Sequence, residues 1–211
     1  MAIDGSDPFD AVVLAGGGAR RLDGTDKPAL RIGGTSLLDR VLGACADAGR
    51  TVCVGPERPT LRPVRWTRED PVGGGPVAAL AVGLENVSAG RVLALAADLP
   101  FLTAGLVRAL VRAAEAADGA VLVDAGGRDQ WLAGCYQHAA LAAGLDRLRA
   151  ERGALAGASL RALASPLALR RVADPQGLGF DCDTWEDVRH VRRLVADGGG
   201  DQRPPRAESE S

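Results

Sequence analysis

The chain has 211 residues, of which 46% are apolar and only 3% aromatic, and its formal net charge is −2. That length suits one domain with a sizeable core and no need of covalent staples. The charge balance offers no basic face to nucleic acid or an anionic membrane, the few aromatics make no base-stacking platform, and no apolar run approaches the roughly 20 residues of a membrane helix.

Cys45, Cys53, Cys135 and Cys182 include no C-x-x-C pair, and their spacing suits neither zinc nor a compact disulfide set. They read as small buried residues in a reducing compartment. The start of the chain carries Asp4, Asp7 and Asp10 and no basic, apolar leader, so a cytoplasmic location is expected. Residues 1–9 read as a loose tail, 10–196 as the single domain, and 197–211 as a disordered tail almost without apolar side chains.

Residues 11–15, AVVLA, read as a buried strand. It runs into Gly16-Gly17-Gly18, then Arg20-Arg21, then Asp26-Lys27. Glycines let backbone N–H groups close on an anion, and Arg and Lys add full charge where a polyphosphate extends beyond the loop. The dinucleotide fingerprint does not fit, because Arg21 takes its third glycine position. The P-loop does not fit either, because Lys27 lies between Asp26 and Pro28.

Leu37, Leu38, Val41, Leu42 and Cys45 recur at helical spacing, which predicts a helix over 36–49 with Gly49 as its C-terminal cap. Short strands follow at 51–54 and 64–67. The stretch DPVGGGP at 70–76 feeds an alanine-rich helix over 77–86, and Pro76 suits its first turn. A Gly-rich loop entering a helix N-terminus is a second contact point for an anion or a nucleotide. RVLALA at 91–96 is a strong buried strand ending in Asp98-Leu99-Pro100, the place where open α/β sheets bind ligands. Carboxylates suit Mg²⁺, which uses one or two of them plus phosphates.

Thr103 caps a predicted helix running to 117. Strands at 120–123 and 131–136 flank a turn at Gly126-Gly127. Helices at 139–151 and 159–164, a strand at 168–172 and a terminal helix capped by Asp183 or Thr184 complete the series. The alternation predicts a three-layer α/β/α architecture around a mostly parallel, Rossmann-like sheet. The two histidines, His138 and His190, fall in helices outside every motif.

Leu14-Ala15-Gly16-Gly17, Ala19-Arg20-Arg21-Leu22 and Asp26-Lys27 together resemble the loop of the nucleotidyltransferases that include molybdenum cofactor guanylyltransferase, L-A-G-G-x-x-x-R-M-G followed by D-K. Leu22 stands for the Met of that pattern and Asp23 for the Gly after it. DPVGGGP resembles the second motif of the family, an Asp followed by G-x-G-P. Residues 181–187, DCDTWED, stand where the family has N-x-N-T-P-E-D, with Asp181 and Asp183 for the two asparagines and Trp185 for the proline.

The resemblance implies a sheet of the nucleotide-diphospho-sugar transferase type. It also implies Mg²⁺-dependent transfer of GMP from GTP to the terminal phosphate of a molybdopterin-type acceptor, with release of pyrophosphate. Its partners would be GTP, that acceptor, and cofactor-assembly or acceptor proteins. By the same resemblance, Leu14, Ala15, Gly16, Gly17, Gly18, Gly75 and Pro76 contact the nucleotide, and Asp70 its base or ribose. Arg21 and Lys27 neutralise the triphosphate. Asp98 binds Mg²⁺ with Asp183 as a second ligand, and Gln130 and Asp181 belong to the acceptor side. Related enzymes use such a loop for cytidylyl transfer or on sugar and polyol phosphates, and a binder that has lost catalysis is the reading from another class. The D-K pair leans toward guanylyl transfer, whereas Gly55-Pro56-Glu57 stands where guanylyl enzymes often place an Asn.

Overall fold

In a computed structural model, residues 8–17, 24–70 and 72–196 are described. The architecture is built on β1 (Phe9–Leu14), an apolar strand flanked on both sides. Phe9 is buried and belongs to this strand, so the stretch read as a tail gives up its last residue to the domain. A 3-10 turn (Lys27–Ala29) and a two-strand hairpin, β2 (Arg31–Ile32) with β3 (Thr35–Ser36), come next. The hairpin leaves no mark in the sequence pattern, because two-residue strands carry no period.

Ser36 caps α1 (Leu37–Ala44) by accepting from the Asp39 N–H at 3.0 Å. The helix stops five residues short of Gly49, which instead donates its N–H to the Phe9 carbonyl at 2.9 Å. β4 (Thr51–Val54), β5 (Arg65–Thr67), α2 (Pro76–Leu84) and β6 (Arg91–Ala96) complete the first half. In the second half, α3 (Ala104–Ala113) ends in a 3-10 turn (Ala114–Ala116). It is followed by β7 (Gly119–Val123), β8 (Asp129–Gln137), α4 (His138–Arg152), α5 (Leu160–Ala164), β9 (Leu169–Ala173) and α6 (Trp185–Ala196).

The seven-stranded sheet has the order β5-β4-β1-β6-β8-β7-β9, and all but β8 run the same way. Strand residues alternate between its faces. Ala11 and Val13 of β1 pack with Leu38 and Leu42 of α1 and Val107 and Leu110 of α3. Val12 packs on the other side with Leu80 of α2, Leu141 of α4 and Leu163 of α5. This is the expected three-layer arrangement, and each fully buried Leu or Val contributes about 1.5–3 kcal/mol of transfer free energy. A third, smaller cluster (Ile32, Leu37, Cys182, Val188, Val191) ties α6 to the β2–β3 hairpin. No described helix is long and apolar enough to cross a membrane.

All four cysteines are free and buried. Burial pushes the Cys45 thiol up to about 11 and those of Cys53, Cys135 and Cys182 up to about 12. A thiol attacks only as thiolate. Ellman's reagent at pH 8 is therefore expected to leave the native protein unlabelled and to titrate four thiols in denaturant; rapid native labelling would contradict this burial.

At the end of the sheet away from the glycine loop, the buried Asp10 accepts three backbone N–H bonds: Arg50 at 2.8 Å, Ser88 at 2.8 Å and Ala89 at 2.9 Å. Asp10→Ala strands those donors and is expected to cost about 2–4 kcal/mol in urea unfolding, because hydrogen bonds to a charged acceptor are the strong ones. A loss below about 0.5 kcal/mol would show that water serves these groups equally well.

Candidate active site

The chain leaves β1 toward β4 and β5, then returns to β6 on the other side of β1. This reversal makes a topological switch point, and open α/β sheets bind ligands outside the strand ends there. The two strands stay in register to the last residue: Leu14 pairs with Ala96, and the Ala97 N–H donates to the Leu14 carbonyl at 3.1 Å. The glycine loop after β1 and the Asp98 loop after β6 therefore emerge side by side. A cleft of ≈ 860 Å³ opens over them.

Its floor depends on a close backbone approach. A Cβ on Gly55, at the end of β4, would stand 2.6 Å from the Gly16 nitrogen and 2.7 Å from the Ala15 carbonyl carbon. Gly55 also has φ +144°, a region L side chains rarely adopt.

The 3-10 turn that starts at Lys27 aims its side chain into this cleft. The ammonium forms an ion pair with Asp98 Oδ2 and a second with Asp183 Oδ1 at 2.7 Å. Lys27 and Asp98 are each 15% exposed at the side chain, Asp183 51%. Burial alone would lower the Lys27 pKa, but the charges and hydrogen bonds of Asp98 and Asp183 outweigh it and raise the value above 10.5. Lys27 therefore stays cationic throughout the physiological range. The stability it contributes is present at all pH values below its unfolded value and is lost only as pH rises through the higher folded one.

Asp183 reaches Lys27 because its neighbour takes the capping role. Thr184 accepts from the Asp187 N–H at 3.2 Å and donates its own N–H and hydroxyl to Asp187 Oδ2 at 2.7 and 2.8 Å. This reciprocal cap starts α6, and it resolves the choice between Asp183 and Thr184 as the cap. Asp181 stands next to the pair. Desolvation first, then the charges of Asp183 and Asp98, push its carboxyl above the ordinary range, with Lys27 opposing.

The other Asp98 oxygen, Oδ1, is buried without a hydrogen-bond partner among the described residues. An unpaired buried carboxylate oxygen is costly, and a cation is the ligand that such a donor set fits. Asp98 and Asp183 suit Mg²⁺, whose remaining positions go to phosphate and water oxygens. Among the described residues no group of three or more His, Cys, Asp or Glu forms an all-protein metal cage.

Leu14, Gly16, Gly17, Lys27, Gly75, Pro76, Asp98 and Asp183 all line the cleft. Ala15 lies beneath it, fully buried. Gly18 and Arg21 lie outside the described residues. Asp70 is exposed and away from the cleft wall. Glu69 lines the cleft instead and accepts from the Gly73 N–H at 3.2 Å. Gln130 also stays off the cleft. Its amide donates to Asp124 Oδ2 at 3.0 Å, and Asp124 is fixed in turn by the N–H groups of Gly126 and Arg128. Leu132, in the irregular stretch where β7 and β8 shift register, reaches the cleft in its place.

Two features escape a motif reading. Lys27 is the sole lysine of the chain; every other member of its 25 Lys and Arg is arginine. Arg58, just past Gly55-Pro56, binds the loop that carries Lys27. The first is legible from counting alone. The second depends on a contact between residues 32 positions apart and has no local signal.

A sheet switch point with a glycine floor, a part-buried lysine and two acidic loops is the layout of an α/β domain of the nucleotidyltransferase type. Residues 11–169 match the model of the MobA-like NTP transferase domain, and the chain belongs to that family. Over 84 residues it is 39% identical to the molybdenum cofactor guanylyltransferase of Rhodopseudomonas palustris (strain BisB5). That match covers 37% of this chain and 40% of the relative, so the chain spans well under half of that protein in it.

Among solved structures, molybdopterin-guanine dinucleotide biosynthesis protein A from Archaeoglobus fulgidus superposes with a TM-score of 0.70 at 19% identity, over 89% of this chain and 99% of that one. The 2-C-methyl-D-erythritol 4-phosphate cytidylyltransferase of Thermus thermophilus superposes with a TM-score of 0.71 at 22% identity, over 90% of this chain and 99% of that one. At these identities the likeness is one of fold.

Gly55→Ala is expected to push the Gly16 backbone out of place, costing about 1–3 kcal/mol and weakening nucleotide binding together with stability. Urea unfolding and nucleotide titration check this; a variant with wild-type values in both would contradict the close approach.

Proposed function

We propose that the protein is a Mg²⁺-dependent nucleotidyltransferase that moves GMP from GTP to the terminal phosphate of a molybdopterin-type acceptor. The observation that carries the reading is Lys27, held between Asp98 and Asp183 beside the glycine floor. In-line attack by the acceptor phosphate forms a P–O bond to the α-phosphorus and breaks the α–β bridge, and pyrophosphate leaves. The acceptor oxygen is already anionic, so no general base is required. Neither histidine lines the cleft.

Each residue has a definite task. The Gly16 and Gly17 backbone approaches the phosphates without Cβ interference. Lys27 sits where charge develops on the α-phosphate oxygens and stabilises it electrostatically. Asp98, with Asp183, would hold Mg²⁺, which supplies charge neutralisation of the triphosphate. The strand ends from β6 to β5 span three interstrand spacings, about 14 Å, room for a nucleoside triphosphate laid across them. Its phosphates then lie at β1 and β6 and its base toward Gly55, Pro56 and Glu69.

Thermal unfolding with Mg²⁺ and GTP, CTP, ATP or UTP in turn tests the nucleotide. A ligand at about 100 times its Kd adds roughly 2.7 kcal/mol, or on the order of 5–10 °C for this size. Stabilisation by GTP, followed by pyrophosphate release on adding the acceptor, is the expected outcome. Preference for CTP would replace the guanylyl reading by the cytidylyl one. Lys27→Ala is expected to fold and to lose about 10²–10³ in kcat; full activity in that variant would remove Lys27 from the chemistry.

A further inference from the structure

We infer that Arg58 is a positioning residue for Lys27: it clamps Asp26, and through Asp26 it fixes the backbone from which the lysine enters the cleft. The inference rests on the transfer role of Lys27 given above. Arg58 Nε donates to both carboxylate oxygens of Asp26, at 2.9 and 2.7 Å, and Nη2 to one of them at 2.6 Å. Nη1 donates to the Ala15 carbonyl at 2.9 Å and to the Pro56 carbonyl at 2.7 Å. One guanidinium thus joins the end of β1, the turn after β4 and the residue preceding Lys27. The Arg58 side chain is only 12% exposed.

Asp26 holds the N-cap position of the 3-10 turn, yet its side chain makes no capping bond to that turn. Its carboxylate goes to Arg58 instead. The far side of the turn is held by backbone bonds, the Leu30 N–H to the Lys27 carbonyl at 3.0 Å and the Leu37 N–H to the Leu30 carbonyl at 2.9 Å. Lysine is a flexible four-carbon arm, so its ammonium keeps a productive position only if its root is fixed. Pairing with Arg58 also neutralises Asp26, whose charge would otherwise oppose the field of Lys27 at an incoming phosphate. Lysine cannot substitute at 58, because a point charge does not reproduce a fork that serves a carboxylate and two carbonyls at once.

Three single variants, Asp26→Asn, Arg58→Lys and Arg58→Met, and the double variant D26N/R58M test this. Asp26 is half exposed and contributes little to the core, so D26N isolates the clamp from folding. Expected for D26N is a kcat loss on the order of 10- to 100-fold, with the nucleotide KM within about twofold and thermal stability near wild type. R58K is expected not to rescue R58M, and the double variant to be no slower than R58M, since both changes break one contact.

A second readout is independent of turnover. With lysine isotopically labelled, the chain gives a single side-chain ε signal in NMR, and that signal is expected to move in both D26N and R58M at fixed pH. Wild-type kcat in D26N, multiplicative losses in the double variant, or an unmoved lysine signal would each overturn the inference. Absence of nucleotidyl transfer by the wild type would instead overturn the function proposed above, and the lysine signal alone would then decide the clamp.

Discussion

A largely desolvated ammonium needs anionic partners, and the structure is arranged to provide two of them at Lys27. Removing such a charge from water costs several kcal/mol unless close, hydrogen-bonded counter-charges offset the loss. Asp98 and Asp183 do so from segments 71 and 156 residues away. Three unrelated local devices set the three side chains. A 3-10 turn presents Lys27, the end of the central strand β6 presents Asp98, and a helix cap that recruits Thr184 and Asp187 leaves Asp183 facing inward. The small cluster between α6 and the β2–β3 hairpin makes the arrangement cooperative, since the segments that carry Lys27 and Asp183 share those apolar contacts.

The same constraint explains why the site sits at the β1–β6 boundary. Parallel neighbours in register deliver their following loops to one edge, and only where the strand order reverses do those loops part enough to leave a cleft. Glycine makes that edge usable. At Gly55 the backbone of one strand end approaches the next too closely for any side chain, and the cleft floor there is peptide rather than side chain. Such a floor offers N–H groups at fixed positions and needs no reorganisation when charge develops.

Much of this was legible in the sequence. The apolar runs at 51–54 and 91–96 became strands with those bounds, because a strand buried on both faces needs continuous Val, Leu and Ala. The glycine loop with Asp26-Lys27 and the Asp98 turn pointed to the cleft because their spacing carries chemistry. Boundaries failed where tertiary contacts decide. Gly49 looks like a helix cap but serves β1, and Phe9 looks like a tail but completes it. Asp70 and Gln130 rest on motif position alone. Motif position does not say which side chain turns inward: Glu69, next to Asp70, and Leu132, two residues beyond Gln130, are the ones on the cleft wall.

The division of labour between the cations follows from their chemistry. Arginine holds structure here: Arg58 forks onto Asp26 and two carbonyls, and Arg62 onto the carbonyls of Leu42 and Cys45 and the Thr51 hydroxyl. A planar fork with several donors suits a fixed junction between loops. In the proposed transfer Lys27 faces a different demand, because a transferring phosphoryl group spreads its charge over several oxygens and moves during the reaction. A compact ammonium on a flexible stem follows such a centre, provided that its root stays fixed. A chain that uses arginine everywhere else has its one lysine at the point where the proposed reaction calls for a mobile point charge rather than a rigid fork.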